Sequence, residues 1–434
     1  MPADDGPSWR PTDAFVRACL GSLVLVLVAV LAGRPDLLVL ASPLLLVAGA
    51  SAVRRPGSVP QVQARLLHTS IREGEGTAVR TTFRGATDVE HAVVALAPHR
   101  WVAYDPPLGV RDLAVDAPQE TLTVDVPFSS RRWGRRGVGD GLVAVSSAWA
   151  AFRRRLEPPH AMTLTTLPAP GPFDAHAPTP HPIGLVGTNP ARRPGEGSEF
   201  ASIRPFTAGD RLHRVQWRVS LRTGTLHVTS SVAEQDAGIL LLLDSAAELG
   251  EPGGLDGIAS TLDVTVRAAG ALAEHYLRRG DRVGMRVLGR GASSVPVGAG
   301  TRHLRRLLES LARVVPGEGR GLDPTRMHFG ISDGTVVIML SPLLSDRAVT
   351  ATVMLARRGL TVVVVDPVPP DLLVGEGDPR VEVAWRLRLL ERDLLLERVQ
   401  SAGIPVVAWR GPGTLDDVLR RLGRQAALPR LVRR

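Results

Sequence analysis

The sequence predicts a mixed α/β plus all-β chain in three parts: a pair of membrane helices, a β-rich segment and a C-terminal α/β domain. Three observations carry this. Two apolar runs lie back to back near the N-terminus. Short β-branched runs of period two fill residues 58–167, and from residue 237 strand and helix patterns alternate. At 434 residues the chain is also too long for one ordinary core. The expected boundaries are 1–57 for a transmembrane hairpin, 58–167 for a β-sandwich-like domain and 168–198 for a Pro/Gly-rich linker. A signature segment then covers 199–236 and the α/β domain 237–434.

The hairpin rests on "FVRACLGSLVLVLVAVLAG" (15–33) and "LLVLASPLLLVAGASAV" (37–53), separated by Arg34-Pro35-Asp36. Each run is about long enough to cross a hydrocarbon core as a helix, and the second tolerates Pro43 if a neighbour satisfies the freed carbonyl. A cleaved signal peptide would have no second span directly behind it. Arg10 and Arg17 precede the hairpin and Arg54, Arg55 and Arg65 follow it, whereas the loop's Arg34 is offset by Asp36. The positive-inside rule then places both ends, and the bulk of the chain, in the cytoplasm under a plasma membrane.

Charge excludes less than it suggests. There are 52 basic and 43 acidic residues, a net charge of +9, and every basic side chain is arginine because lysine is absent. These arginines are spread along the chain, whereas a nucleic-acid binder gathers its charge on one face. The single cysteine, Cys19, rules out an intrachain disulfide or a cysteine-built zinc site.

In the β-rich segment "QVQARLLH", "GTAVRTTFRG", "EHAVVALAP", "ETLTVDVPF" and "GDGLVAVSS" are punctuated by Gly, Pro and Asp turns. That rhythm suggests an immunoglobulin-like sandwich serving as a spacer or interaction module. "SSRRWGRRGVGDG" (129–141) reads as a solvated turn, with anionic lipid contact as the alternative. Within the linker, His176 and His181 have no companions that would make a metal site.

The α/β domain opens with "AGILLLLDSAAE" (237–248), an unbroken apolar run ending at Asp244, as a buried parallel strand would. Strands at "DRVGMRVLG", "GTVVIMLSP", "LTVVVVDP" and "IPVVAW" alternate with helical patterns, the last of them "TLDDVLRRLGRQ". A doubly wound parallel sheet follows. Neither a phosphate loop nor a G-x-S-x-G elbow is present.

A sheet with an aspartate at the tip of its first strand resembles the von Willebrand factor A fold. In that family the strand ends Asp-x-Ser-x-Ser and helps to hold magnesium through hard oxygen ligands. Here Asp244 and Ser245 remain, but Ala246 and Glu248 stand at the serine positions. Ser341-Pro342 replaces a later aspartate, and the loop 316–323 lacks the expected threonine. The resemblance thus implies the scaffold with a vestigial metal site and no cofactor.

Just before that domain lies "SEFASIRPFTAGDRLHRVQWRVSLRTGTLHV" (198–228). Glu199, Phe200, Arg204, Gly209, Asp210, Arg214, Trp217, Ser220 and Arg222 fall in the order of the signature of the DUF58 family, and Gly224, Leu226 and Val228 continue it. Phe206, Val215 and Leu221 replace its tyrosine, isoleucine and alanine. Asp210 is expected to accept hydrogen bonds from backbone N–H groups or to pair with Arg204 or Arg214, and Trp217 to act as a large apolar anchor. The segment is then either a clasp pinning the chain to the sheet edge or a docking surface. The resemblance implies a membrane-tethered, non-enzymatic adaptor or assembly protein whose partner is a MoxR-type AAA+ ATPase. The alternatives are an envelope-biogenesis or structural membrane factor without that partner, and an arginine-rich lipid-surface or nucleic-acid binder.

Overall fold

The computed structural model describes residues 9–157, 160–169, 171, 173, 194–207, 215–232, 238–291, 293–319, 335–369 and 379–416. The chain divides into two compact units. One comprises Met1–Ala169 with Gly253–Gly257, the other Pro170–Pro252 with Ile258–Arg434.

The first unit carries the apolar hairpin, helices α1 (Asp13–Leu31) and α2 (Asp36–Val53). Thr12 caps α1, its hydroxyl accepting from Phe15 N at 3.2 Å. Both helices are long and apolar enough to cross a membrane, with mean hydropathy 2.5 and 2.0. Their leucines are bare: Leu23 is 64% and Leu46 72% exposed.

The strands of this unit begin with β1 (Arg10–Pro11), β2 (Gln61–Leu66), β3 (Ser70–Arg72), β4 (Gly76–Arg84), β5 (His91–Leu96) and β6 (Val102–Tyr104). They are followed by β7 (Val110–Ala114), β8 (Thr121–Ser130), β9 (Gly134–Val138), β10 (Gly141–Ser146), β11 (Phe152–Leu156) and β12 (Met162–Leu167). Three sheets form, ordered β1-β11-β10-β5-β7, β2-β4-β8-β6 and β3-β12-β9. Alternation decides their faces. Along β8, Leu122, Val124, Val126 and Phe128 are buried while Thr121 and Thr123 face water. Those apolar residues share one core with Phe83 of β4, Val94 of β5 and Val143 of β10.

The base of the hairpin is built into these sheets. β1 pairs with β11, Arg10 opposite Arg153. Trp9 is buried and its Nε1 donates to Ser58 O at 2.9 Å, so the residues before and after the hairpin are tied together. Gly253–Gly257 belongs here too: Leu255 N donates to Arg131 O at 2.8 Å, and Arg131 pairs with Asp256 at 2.9 Å.

The second unit begins with β13 (Pro194–Pro205), α3 (Trp217–Thr223) and β14 (His227–Val232). An alternating run follows: β15 (Gly238–Asp244), α4 (Thr261–Arg278), β16 (Arg282–Leu288), β17 (Ser294–Gly298) and α5 (Thr301–Leu311). It ends with β18 (Val336–Leu340), α6 (Asp346–Arg357), β19 (Thr361–Asp366), α7 (Pro379–Ser401) and β20 (Val406–Ala408). The six-stranded sheet is ordered β17-β16-β15-β18-β19-β20. Every pairing is parallel except that of β17 with β16. Every residue of β15 is buried, as its unbroken apolar run requires. Leu240 and Leu242 share a core with Val349 of α6 and Val399 of α7. Their odd-numbered neighbours point to the opposite face, where α4 packs on β15 and β16.

Two elements escape the sequence pattern. β17 contains Pro296, which argues against an interior strand; it is an edge strand, where the missing N–H costs little. β13 starts inside the stretch expected to be linker. Most of the expected last helix lies outside the described residues, as do His176 and His181.

Candidate functional site

The signature segment is built on an antiparallel pair. Ile203, Arg204 and Pro205 of β13 face Thr229, Val228 and His227 of β14. Val215 bridges to Val228, and α3 fills the return between them. Ser220 closes the turn. Its buried hydroxyl donates to Gln216 O at 2.9 Å and accepts from His227 N at 2.9 Å, tying α3 to the first residue of β14. The helix ends on Gly224, whose φ of 72° is left-handed, as a C-terminal cap prefers.

The outer side of this clasp is apolar and basic. Trp217 is 62% and Leu221 82% exposed, one helical turn apart. The exposed Arg218 and Arg222 repeat that spacing alongside. Trp217 thus stands largely in solvent. Arg204 donates to Pro205 O at 3.1 Å and Thr207 Oγ1 at 2.9 Å, local contacts that stiffen the end of β13. Glu199 and Phe200 fall on β13, with register shifts on either side of Phe200. Gly209, Asp210 and Arg214, and with them the expected aspartate–arginine pairing, lie outside the described residues.

A second constellation sits at the end of β15. Asp244 is 1% exposed, and both of its carboxylate oxygens are engaged. Oδ1 accepts from Ala246 N at 3.0 Å and Oδ2 from Ser341 Oγ at 2.7 Å, while Ser341 Oγ itself accepts from Leu343 N at 2.9 Å. Burial raises the Asp244 pKa, opposed by the hydrogen bonds from Ser341 and Ala246. Ser245 N donates to Leu288 O at 2.9 Å, and Glu248 accepts from Ser260 Oγ at 2.5 Å. At Gly289 a Cβ would lie 2.2 Å from Ser245 Oγ, so the strand ends meet closely only because that residue has no side chain. Ser341, where the family resemblance expects an aspartate, thus donates a hydrogen bond to Asp244 rather than adding a second charge. Among the described residues no three of His, Cys, Asp and Glu gather as a metal ion would require.

The arginine run of 129–141 is not simply a solvated turn. Arg136 is half-buried and donates to Trp101 O at 3.1 Å and Trp133 O at 2.9 Å, and also to Arg132 O. Burial, then the neighbouring Arg132 charge, lowers its pKa to about 10. Glu73 accepts from Trp133 N at 2.9 Å and Ala169 N at 2.8 Å. At the hairpin base, Arg54 stacks over Trp149 at 5.5 Å and Arg55 over Phe152 at 5.9 Å. Trp149 is 49% exposed, an aromatic–cation pair of the kind that favours a membrane–water interface.

Comparison with known proteins identifies one family. Residues 202–377 match "Protein of unknown function DUF58", a stretch that takes in the clasp after residue 201 and the sheet as far as β19. Uncharacterized proteins of Mycobacterium bovis and of two Mycobacterium tuberculosis strains are 29% identical over 120 residues, which is 27% of this chain and 37% of theirs. Among solved structures, the cupredoxin domain of amoB from Nitrosocaldus yellowstonii aligns with 24% of this chain and 86% of its own, at 10% identity and a TM-score of 0.16. The chain carries a DUF58 domain, whose clasp presents Trp217 and Leu221 to solvent.

Proposed function

We propose that this chain is a membrane-anchored, non-enzymatic docking protein that engages a partner through the outer face of α3. The observation that carries this reading is the exposure of Trp217 and Leu221 beside Arg218 and Arg222. Trp and Arg are the residues that most often dominate protein interfaces. A helix held from behind by Ser220 presents them without an ordering cost. The apolar and basic mixture suits a partner with an acidic rim around a hydrophobic notch.

The hairpin is read as crossing the bilayer twice, with the rest of the chain cytoplasmic. In support, the loop arginine Arg34 is neutralised by Asp36 at 2.8 Å, whereas Arg54 and Arg55 stack on aromatic rings at the opposite end. The second unit is read as a von Willebrand factor A-like scaffold. Its sheet order and antiparallel edge strand support this, as does the aspartate at the end of β15. Asp244 acts there as an internal brace between strand ends rather than as a cation ligand, in keeping with its two engaged oxygens. The partner that the DUF58 resemblance favours is a MoxR-type AAA+ ATPase, with the pair acting in protein maturation or complex assembly.

A photo-crosslinking residue at Leu221 of the full chain, activated in native membranes, tests this. Capture of an AAA+ ATPase is the expected result. Capture only of envelope components would replace the reading with that of a structural or envelope-biogenesis factor, and no capture at all would remove α3 as a docking face.

A further inference from the structure

Helix α7 is apolar on two opposite faces. Its inner face packs Leu395, Leu396 and Val399 into the core, and the buried Arg392 donates to Pro342 O at 2.8 Å and pairs with Asp366. A helix so seated normally turns a polar back to water. Here Val383, Leu387, Leu390 and Leu394 are 57%, 58%, 62% and 67% exposed. At 3.6 residues per turn these four fall on one narrow stripe, about half a turn from Val399. Their separations of four, three and four residues are those of the alternating apolar seam of a coiled coil.

We infer that α7 pairs with the α7 of a second copy of this chain, parallel and in register, through Val383, Leu387, Leu390 and Leu394. The charges beside the seam select the occupant and the direction. Arg386 and Asp393 precede seam positions on one flank, and Glu391 and Arg398 follow them on the other. In a parallel pair each flanking residue meets the one five positions later on the other helix. Arg386 then faces Glu391 and Asp393 faces Arg398. Both combinations are of opposite sign, and symmetry repeats each of them. An antiparallel pair matches Arg386 with Asp393 but sets Glu391 against Ala384, leaving half the complementarity unused.

The flanking side chains are free to reorient. Arg386 pairs with Glu382 at 2.7 Å and Glu391 with Arg388 at 2.8 Å, and both pairs are well exposed. Arg398 lies 3.6 Å from Asp346, again in solvent. Such pairs contribute little singly and are readily shared. The seam is short, about 16 Å between its ends, and Arg380 and Glu397 stand at the next seam positions on either side. Its affinity is therefore modest, and anchoring both copies in one bilayer, as proposed above, raises their effective concentration.

The test uses full chain in native membranes, with Cys19→Ser removing the one natural thiol. Leu387→Cys is expected to oxidise to a covalent dimer, whereas Gln400→Cys, away from the seam, is not. Arg386→Glu, at an exposed position, is expected to lower the cross-linked fraction of Leu387→Cys about threefold or more, and adding Glu391→Arg to restore it. Cross-linking only between a Leu387→Cys copy and a Leu390→Cys copy would overturn the parallel register. Absence of cross-linking in every combination, with the cysteines shielded by lipid, by another protein or by the chain's own C-terminal segment, would overturn the pairing. These readouts do not involve α3, so either reading can fail without the other.

Discussion

Leu221→Glu and Ser220→Ala, adjacent in sequence, are expected to separate docking from folding. Leu221 is 82% exposed, so only about one fifth of its side chain contributes to folding. Fully burying a leucine is worth about 1.5–3 kcal/mol, which leaves about 0.3–0.6 kcal/mol at stake. Ser220 is 6% exposed, and its hydroxyl makes hydrogen bonds of 2.9 Å to Gln216 O and from His227 N. Alanine there removes both bonds and strands His227 N, while Gln216 O keeps Val219 N and Ser220 N as donors, a loss of about 1–3 kcal/mol. At about 2–4 °C per kcal/mol for a unit of this size, Ser220→Ala lowers the melting temperature by about 2–12 °C and Leu221→Glu by about 0.6–2.4 °C. Partner capture from membranes goes the other way: Leu221→Glu places a carboxylate between Arg218 and Arg222 and lowers it about tenfold or more. The assay is thermal unfolding of the purified full chain in detergent, run beside co-purification. Leu221→Glu melting as low as Ser220→Ala, or binding its partner like the parent, would falsify the assignment of the α3 outer face.

Three further outcomes follow from the same geometry. Burial makes the folded Asp244 hold its proton to higher pH than the unfolded chain, so folded protein binds more protons and stability falls as pH rises between the two pKa values; Asp244→Asn should flatten that fall in a series of urea melts above pH ~4. Gly289→Ala sets a Cβ 2.2 Å from Ser245 Oγ and 3.0 Å from Ser245 C, a clash at backbone that should cost about 1–3 kcal/mol in denaturant melts, against little for alanine at the open Gly280 beyond the strain of its positive φ. Arg136→Met removes the donor shared by Trp101 O and Trp133 O in a half-buried site and should destabilise the first unit by about 2–4 kcal/mol, read as a lower urea midpoint, with no such loss for the exposed Arg135.

Elements whose pattern is dictated by burial are legible in the sequence. β15, β18 and β19 carry unbroken apolar runs because helices cover both sides of their sheet, and β8 alternates because one of its faces is wet. The hairpin helices announce themselves by length and hydropathy. Short or edge elements carry no such mark. β1 has two residues, too few for a period, and its pairing with β11 is specified only by the fold. β17 hides behind Pro296.

At the candidate site the residue types were readable and their surroundings were not. Ser220 matches a signature position, but its role as the hydrogen-bonding hub depends on where β14 returns. Trp217 is readable as a large apolar side chain, but that the register of α3 turns it outward is set by the fold. Arg136 sits in a run of arginines that composition alone assigns to solvent. Only the meeting of Trp101, Arg132 and Trp133 carbonyls holds it half-buried.

The joints at the foot of the hairpin deny the first unit a swivel. On the way in, Trp9 and the β1–β11 pairing grip the chain. On the way out, Gly57 N and Ser58 N both donate to Asp88 Oδ2, at 3.1 and 3.3 Å. A pull or twist on α1 and α2 therefore reaches the sheets as a lever stroke instead of being lost in slack chain, and the sheets keep a fixed bearing toward whatever medium holds the two helices.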